Sequence, residues 1–191
     1  MKKPREIINQ LSPQDAFAVL KTLADSDASL ARRIAEIATE YLSEVDADDV
    51  AEEVYFCLES LQVEDVWDKA GSTRDGYVEP YEIVNELLED ALSPYFERLT
   101  RYQKLMMDDE AARFCRGFLL GLYRFEYKCT TEFRKWAPDY ALDCAKEILE
   151  KWHTKRIPQE AVDEMKSFIN GRLSKWQKLR QLLKKTPATR R

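Results

Sequence analysis

Apolar residues recur along this chain at spacings of three and four, the pattern of helices that cover one side and leave the other to solvent. Helix-start signals precede the stripes at Ser12, which is followed by Pro13, at Ser26 or Asp27, and at Asp46. The clearest stripe, which we expect to be buried, consists of Leu30, Ile34, Ile37, Ala38 and Tyr41. The spacing therefore predicts amphipathic helices joined by short turns.

Helices are predicted over about 13–23, 27–42, 46–61, 63–70, 108–128 and 140–152, with further ones that begin at Pro80 and Pro158. A proline inside a helix removes one hydrogen bond, so the helix that begins at Pro80 should kink or break at Pro94. Only 5 of the 191 residues are glycine, which argues against turn-rich sheet architectures. We expect an all-α fold, either a helical bundle or a short helical-repeat array of about seven or eight helices.

Charge divides the chain more sharply than its net value of −5 indicates. Residues 36–97 hold 19 acidic and two basic residues, whereas residues 151–191 hold three acidic and 12 basic residues. We therefore expect an acidic helical domain over residues 1–157. Residues 158–191 should form a basic C-terminal helix and a disordered tail from Thr186, with the helix docked on the same domain through Leu173, Trp176 and Leu179.

Several classes of protein are not favoured by the sequence. No run of about 20 apolar residues is present to span a membrane, and the first residues lack the apolar region of a secretion signal, so a cytoplasmic location is expected. Cys57, Cys115, Cys129 and Cys144 lack the paired spacing of zinc ligands, and His153 is the single histidine. We expect no catalytic residues, no metal and no cofactor.

The segment from Gly71 to Glu82 leaves one metal question open. It can be aligned with a calcium-binding helix–loop–helix that places Asp75 and Glu82 at ligand positions 5 and 12. Gly71 and Thr73 then occupy positions 1 and 3, where carboxylates or amides normally bind the ion. The segment is more typical of a glycine turn that leads into a helix started by Pro80.

Two basic segments are candidate partner-binding sites. The first is rich in aromatic residues, and the second is an amphipathic stretch without acids; together they supply Arg116, Arg124, Arg134, Lys135, Trp176, Lys178, Arg180, Lys184 and Lys185. Bases beside rings suit an anionic ligand or nucleic acid, whereas helical spacing of the rings indicates core packing. Within the first segment, Gly117 and Gly121 lie one turn apart and predict the close approach of another helix.

Three segments carry a resemblance to a known family: residues 11–15 (LSPQD), 24–34 (ADSDASLARRI) and 75–80 (DGYVEP). With them, the stretch from about Gln10 to Trp152 resembles the helical region that follows SWIM zinc fingers in many bacterial and archaeal proteins of unknown function. The resemblance implies an all-helical, repeat-like interaction module. The Cys-x-Cys and Cys-x-His pairs of the finger are absent from this sequence, so the role of the finger is not carried over.

The function expected from these features is protein–protein interaction by a non-enzymatic helical module. The partner is an unknown protein, and a homo-oligomer is open, for example through the basic C-terminal helix and the acidic 36–97 surface of a second copy. The alternative is a nucleic-acid-associated protein that binds through its basic C-terminal helix.

Overall fold

The computed structural model describes residues 3–73, 76–154 and 156–185, and for residues 72, 73 and 182–185 it describes the backbone alone. This part of the chain forms eleven helices: α1 Pro4–Ile8, α2 Pro13–Ser26, α3 Ala28–Ser43, α4 Ala47–Glu59, α5 Val63–Lys69, α6 Pro80–Lys104, α7 Asp108–Lys128, α8 Phe133–Trp136, α9 Tyr140–Trp152, α10 Gln159–Arg172 and α11 Gln177–Lys185. Strands β1 Gly71–Thr73 and β2 Gly76–Val78 pair antiparallel. The all-α prediction is confirmed, with more helices than expected.

The additional helices have simple causes. Helices α1 and α8 are short segments of five and four residues, too brief to produce an apolar repeat. The helix predicted from Pro158 is divided into α10 and α11 by residues 173–176, where Leu173 and Trp176 turn into the core. Of the kink or break predicted at Pro94, the break is wrong, because α6 continues through that residue, and the kink stays a prediction. Pro94 is exposed, and buried Leu92 and Leu99 hold the helix on either side of it.

The chain divides into two compact units, residues 1–44 and residues 45–191. The first unit contains α1, α2 and α3, and the second contains all later elements, including the basic α10 and α11. This division does not coincide with the boundary expected between residues 157 and 158. The structural units follow contacts between residues, whereas the expected boundary follows the change in charge along the sequence.

Helix α7 forms the centre of the second unit and buries eleven of its residues. Helix α4 crosses it at Gly117 and Gly121. A Cβ atom at Gly117 would lie 2.6 Å from the Ala47 carbonyl oxygen, and one at Gly121 would lie 2.6 Å from Val54 Cβ and 2.9 Å from the Ala51 carbonyl oxygen. No side chain fits at these distances, so the two glycines allow the helix backbones to approach, as the sequence predicts.

The basic C-terminal segment packs on the same unit. Leu173 and Leu179 have no exposed surface, and Trp176 is 3% exposed. The Trp176 ring lies 6.1 Å from the Tyr123 ring, and the Tyr127 hydroxyl donates a hydrogen bond to the Lys175 carbonyl oxygen at 3.0 Å. Apolar burial therefore anchors α11, and the predicted tail from Thr186 lies outside the described residues.

Candidate interaction surface

The segment considered for calcium folds as a β-hairpin rather than as a helix–loop–helix. Gly71 pairs with Val78 across the strands, and both Gly71 and Gly76 have positive φ angles, 110° and 135°, that favour glycine. Asp75, the ligand expected at position 5, lies outside the described residues. Helix α6 then begins at Pro80, in agreement with the glycine-turn interpretation. The described part of the chain contains no group of three or more His, Cys, Asp or Glu residues that could hold a metal ion.

The basic residues predicted on α7 form ion pairs with other helices of their own unit. Arg116 contacts Glu164 of α10 at 3.2 Å. Arg124 contacts Asp48 of α4 at 3.0 Å, and Arg172 of α10 reaches the same carboxylate oxygen at 2.9 Å. One carboxylate near the start of α4 thus joins three helices, and these guanidinium groups are already paired within the fold.

The remaining predicted bases are distributed over α8 and α11. Arg134 lies 3.9 Å from Glu126, and Lys178 lies 2.7 Å from Asp139. The Lys178 ammonium donates a hydrogen bond to Asp139 and lowers the pKa of that carboxyl, while Asp139 raises the pKa of Lys178. Both groups of that pair are exposed, so solvent screens their attraction.

Arg134 and Lys178 lie together beside Glu126, and each acts to lower the pKa that burial of Glu126 raises, whereas the last members of the predicted site have other surroundings. Arg180 donates hydrogen bonds to the Asn170 side chain at 3.0 Å and to the Ser174 carbonyl oxygen at 3.2 Å. Lys135 is exposed on α8, and Trp176 is buried. The side chains of Lys184 and Lys185 lie outside the described residues. The structure thus spreads the predicted bases over α7, α8 and α11, and most of them have partners in the same chain.

A groove of about 740 Å³ lies between α6 and α9. Its walls combine carboxylates with aromatic rings and include Glu89, Phe96, Trp136, Asp143 and Glu147. Asp143 and Glu147 pair with lysines of their own helix, Lys146 at 2.6 Å and Lys151 at 3.5 Å. This arrangement resembles an ordinary solvated helix surface more than a set of converging catalytic groups.

Two titratable groups lie deeper in that groove. Burial raises the pKa of the Tyr140 hydroxyl, and its contact with Cys144 raises it further. Burial also raises the pKa of the Cys144 thiol to about 12. Both groups therefore stay protonated near neutral pH, and a protonated thiol is a weak nucleophile.

The first unit presents a different kind of surface, an apolar one. It is formed on helices whose first turns are capped. The Ser12 hydroxyl accepts a hydrogen bond from the Asp15 amide at 3.2 Å and starts α2. The Asp27 carboxylate accepts hydrogen bonds from the Ser29 and Leu30 amides at 2.7 and 3.3 Å and starts α3. Asp27 alone separates α2 from α3, so the two helices form a tight hairpin.

This hairpin has no buried residue among those described. Exposed large apolar side chains are concentrated in its unit, which supplies nine of the sixteen in the described chain. We call these nine the hairpin surface: Ile7, Ile8, Phe17, Val19, Leu20, Leu23, Leu30, Ile37 and Tyr41. Their exposed fractions run from 41% to 76%. Large exposed apolar patches on a folded protein are typical of contact sites, and a unit with nine exposed large apolar side chains and no buried residue is a candidate for one.

The predicted burial of the α3 stripe is therefore wrong within its own unit. Leu30, Ile37 and Tyr41 are 41%, 51% and 76% exposed, and Ile34 is half-buried. The spacing identified the apolar side of the helix, which this unit covers in part at Ile34 and leaves exposed at Leu30, Ile37 and Tyr41. Sequence reasoning also missed the α2 part of the surface, although Leu20 and Leu23 follow Ala16 at spacings of four and three.

Comparison with known proteins adds no relative to this description, since no family model, curated protein or solved structure matches the chain. The resemblance of residues 10–152 to the SWIM-associated helical region stays a prediction. No helix in the described residues is long and apolar enough to cross a membrane.

Proposed function

We propose that this protein acts by binding another protein, without catalysis, and that the hairpin surface is where it binds. The observation that carries the proposal is a pair of capped helices, α2 and α3, with apolar side chains and no buried residue. Each such side chain gains about 1.5–3 kcal/mol when fully buried, so a partner that covers several of them would be bound stably.

A two-helix hairpin also needs such a partner for its own stability. An isolated helix of fewer than about 12–15 residues is marginal in water, and most helical stability in proteins comes from packing of the apolar side. Helices α2 and α3 have 14 and 16 residues, close to that length, and neither helix has a buried residue. Contact with a second protein would supply it, and the binding energy would then also order the hairpin.

The alternative function, nucleic-acid binding through the basic C-terminal helix, has weaker support. The guanidinium groups of Arg116 and Arg124 and the ammonium of Lys178 contact carboxylates at 2.7–3.2 Å. These carboxylates weaken the attraction of the three cations for phosphate groups. Phosphate contacts need unpaired cations that release counterions on binding. The exposed apolar side chains of the hairpin therefore favour a protein partner, whereas the ion pairs of Arg116, Arg124 and Lys178 reduce the support for nucleic acid.

Site-specific photo-crosslinking tests the proposed function. We expect a photoreactive phenylalanine analogue at Ile37 to form protein adducts heavier than 22.4 kDa when cells that make the protein are irradiated. The matched control is Arg32, which is exposed on the opposite side of α3 and should give several-fold fewer adducts. A third variant carries the analogue at Lys178. Nuclease-sensitive adducts at Lys178, with none above control at Ile37, would contradict the proposal and support the alternative.

A further inference from the structure

We infer that the occupant of the hairpin surface is a second copy of this chain, with α3 packed antiparallel against its symmetry mate about a twofold axis. This inference rests on the proposed function and specifies its partner. It makes the two hairpins one four-helix bundle, the arrangement by which paired helical hairpins bury their apolar sides.

The first argument is the spacing of the α3 stripe. Leu30, Ile34, Ile37 and Tyr41 are separated by four, three and four residues, a pattern that is the same in both chain directions. A twofold axis between Ile34 and Ile37 therefore brings Leu30 against Tyr41 of the second copy and Ile34 against Ile37 of the second copy. An isologous contact requires this kind of self-complementary surface.

The second argument is the charge beside that stripe. Arg33 and Glu40 are seven residues apart, so they lie on the same flank of α3. Antiparallel packing places like flanks together, and Arg33 then faces Glu40 of the second copy, with the reciprocal pair formed by symmetry. In a parallel pair this flank would face the other one, which carries Ala31 and Ala38, and the charges would have no partner. Within one chain Arg33 forms an ion pair with Glu36 at 3.3 Å, and both side chains are more than half exposed.

The third argument is charge balance. Residues 1–44 contain six basic and seven acidic residues, a net charge of −1. Two copies of this unit therefore approach without strong repulsion, in contrast to the 36–97 region with its 19 acids and two bases. A unit with almost no net charge and an apolar surface gains little from a polyanion or a strongly charged protein. A second copy of the same unit matches it better.

The exposed area is also sufficient. Seven large apolar side chains of α2 and α3 are about half exposed, which amounts to on the order of 500 Å² of apolar surface. A standard interface buries about 800 Å² per partner, of which roughly 60% is apolar. The hairpin thus offers the apolar share that a stable dimer needs.

Sedimentation velocity of the full chain, from low to high micromolar concentration, tests the inference. We expect the mass to rise from 22.4 kDa to twice that value. Ile37→Glu should raise the dimer Kd by roughly 100-fold or more, since it places two unpaired carboxylates in the interface. Ile37 is not in a core, so the second unit of this variant should melt as in the wild type.

Charge reversal supplies a test that does not depend on loss of apolar area. Arg33→Glu should weaken the dimer by roughly three- to tenfold, because symmetry places it in two interfacial pairs. Adding Glu40→Arg should restore the Kd to within about twofold of the wild type. Arg32→Glu, on the opposite side of α3, should leave the Kd unchanged.

The outcomes separate this inference from the proposed function. A 22.4 kDa species at every concentration, or a dimer that ignores both Ile37→Glu and Arg33→Glu, overturns the second copy as the occupant. If photo-crosslinking at Ile37 then traps a different protein, the proposed function stands and only its partner changes. If Ile37 crosslinks to nothing above the Arg32 control, both proposals fail together.

Discussion

Replacement of Gly121 with leucine is expected to destabilise the second unit by about 3 kcal/mol or more, at the upper end of what overpacking usually costs. A Cβ atom at this position would lie 2.6 Å from Val54 Cβ and 2.9 Å from the Ala51 carbonyl oxygen. The second contact is with backbone, so α4 must move away from α7 instead of a side chain rotating aside. The better helix propensity of leucine, worth about 1 kcal/mol, is too small to offset that movement.

Urea unfolding followed by circular dichroism measures the effect, and Gly171→Ala is the matched control. Gly171 also lies in a helix, α10, but a Cβ atom there has no heavy atom within 4 Å. That substitution should leave stability unchanged or raise it by up to about 1 kcal/mol, since alanine is the better helix former. Equal effects at the two glycines would show that the close approach of α4 and α7 is incorrect.

Truncation after Asn170 is expected to lower the stability of the second unit by several kcal/mol and its melting temperature by about 10 °C or more. The truncation removes Leu173, Trp176 and Leu179, which are 0%, 3% and 0% exposed. Burial of each such side chain contributes about 1.5–3 kcal/mol, and their loss also uncovers apolar surface on α9 and α7.

Thermal unfolding of the truncated and full chains provides the measurement, with Lys178→Ala as the control for charge. Lys178 is exposed and forms an ion pair with exposed Asp139, so its loss should change stability little. If Lys178→Ala destabilises as much as the truncation does, charge rather than apolar burial holds α11. An unchanged melting temperature after truncation would show that α11 is a free arm.

Local signals in the sequence predicted most of the helices because capping and apolar spacing act over one or two turns. Ser12, Asp27 and Asp46 were proposed as helix starts, and each carboxylate or hydroxyl accepts the expected amide hydrogen bonds. The close crossing at Gly117 was predicted in the same way, since few other reasons place two glycines one turn apart in a helix. The β-hairpin was missed, because strands of three residues are too short to produce an alternating apolar pattern.

Long-range features of the candidate site could not be predicted from one sequence. Arg124 and Arg172 share the Asp48 carboxylate from 76 and 124 residues away, and no local pattern indicates such a pairing. The α3 stripe is a second feature that local spacing does not determine. Its spacing specifies that one side of the helix must be covered, but whether the same chain or another one covers it depends on where the remaining helices pack.

Hydrogen–deuterium exchange of α3 at several protein concentrations tests the central claim most directly. If the hairpin is covered by a second copy, the amides of residues 30–41 should be protected at high concentration and should exchange rapidly after dilution, while α7 stays protected throughout. Ile37→Glu should give the dilute pattern at every concentration. Protection of α3 that is the same at all concentrations, in the wild type and in Ile37→Glu alike, would contradict the claim that a second copy of the chain covers its apolar stripe.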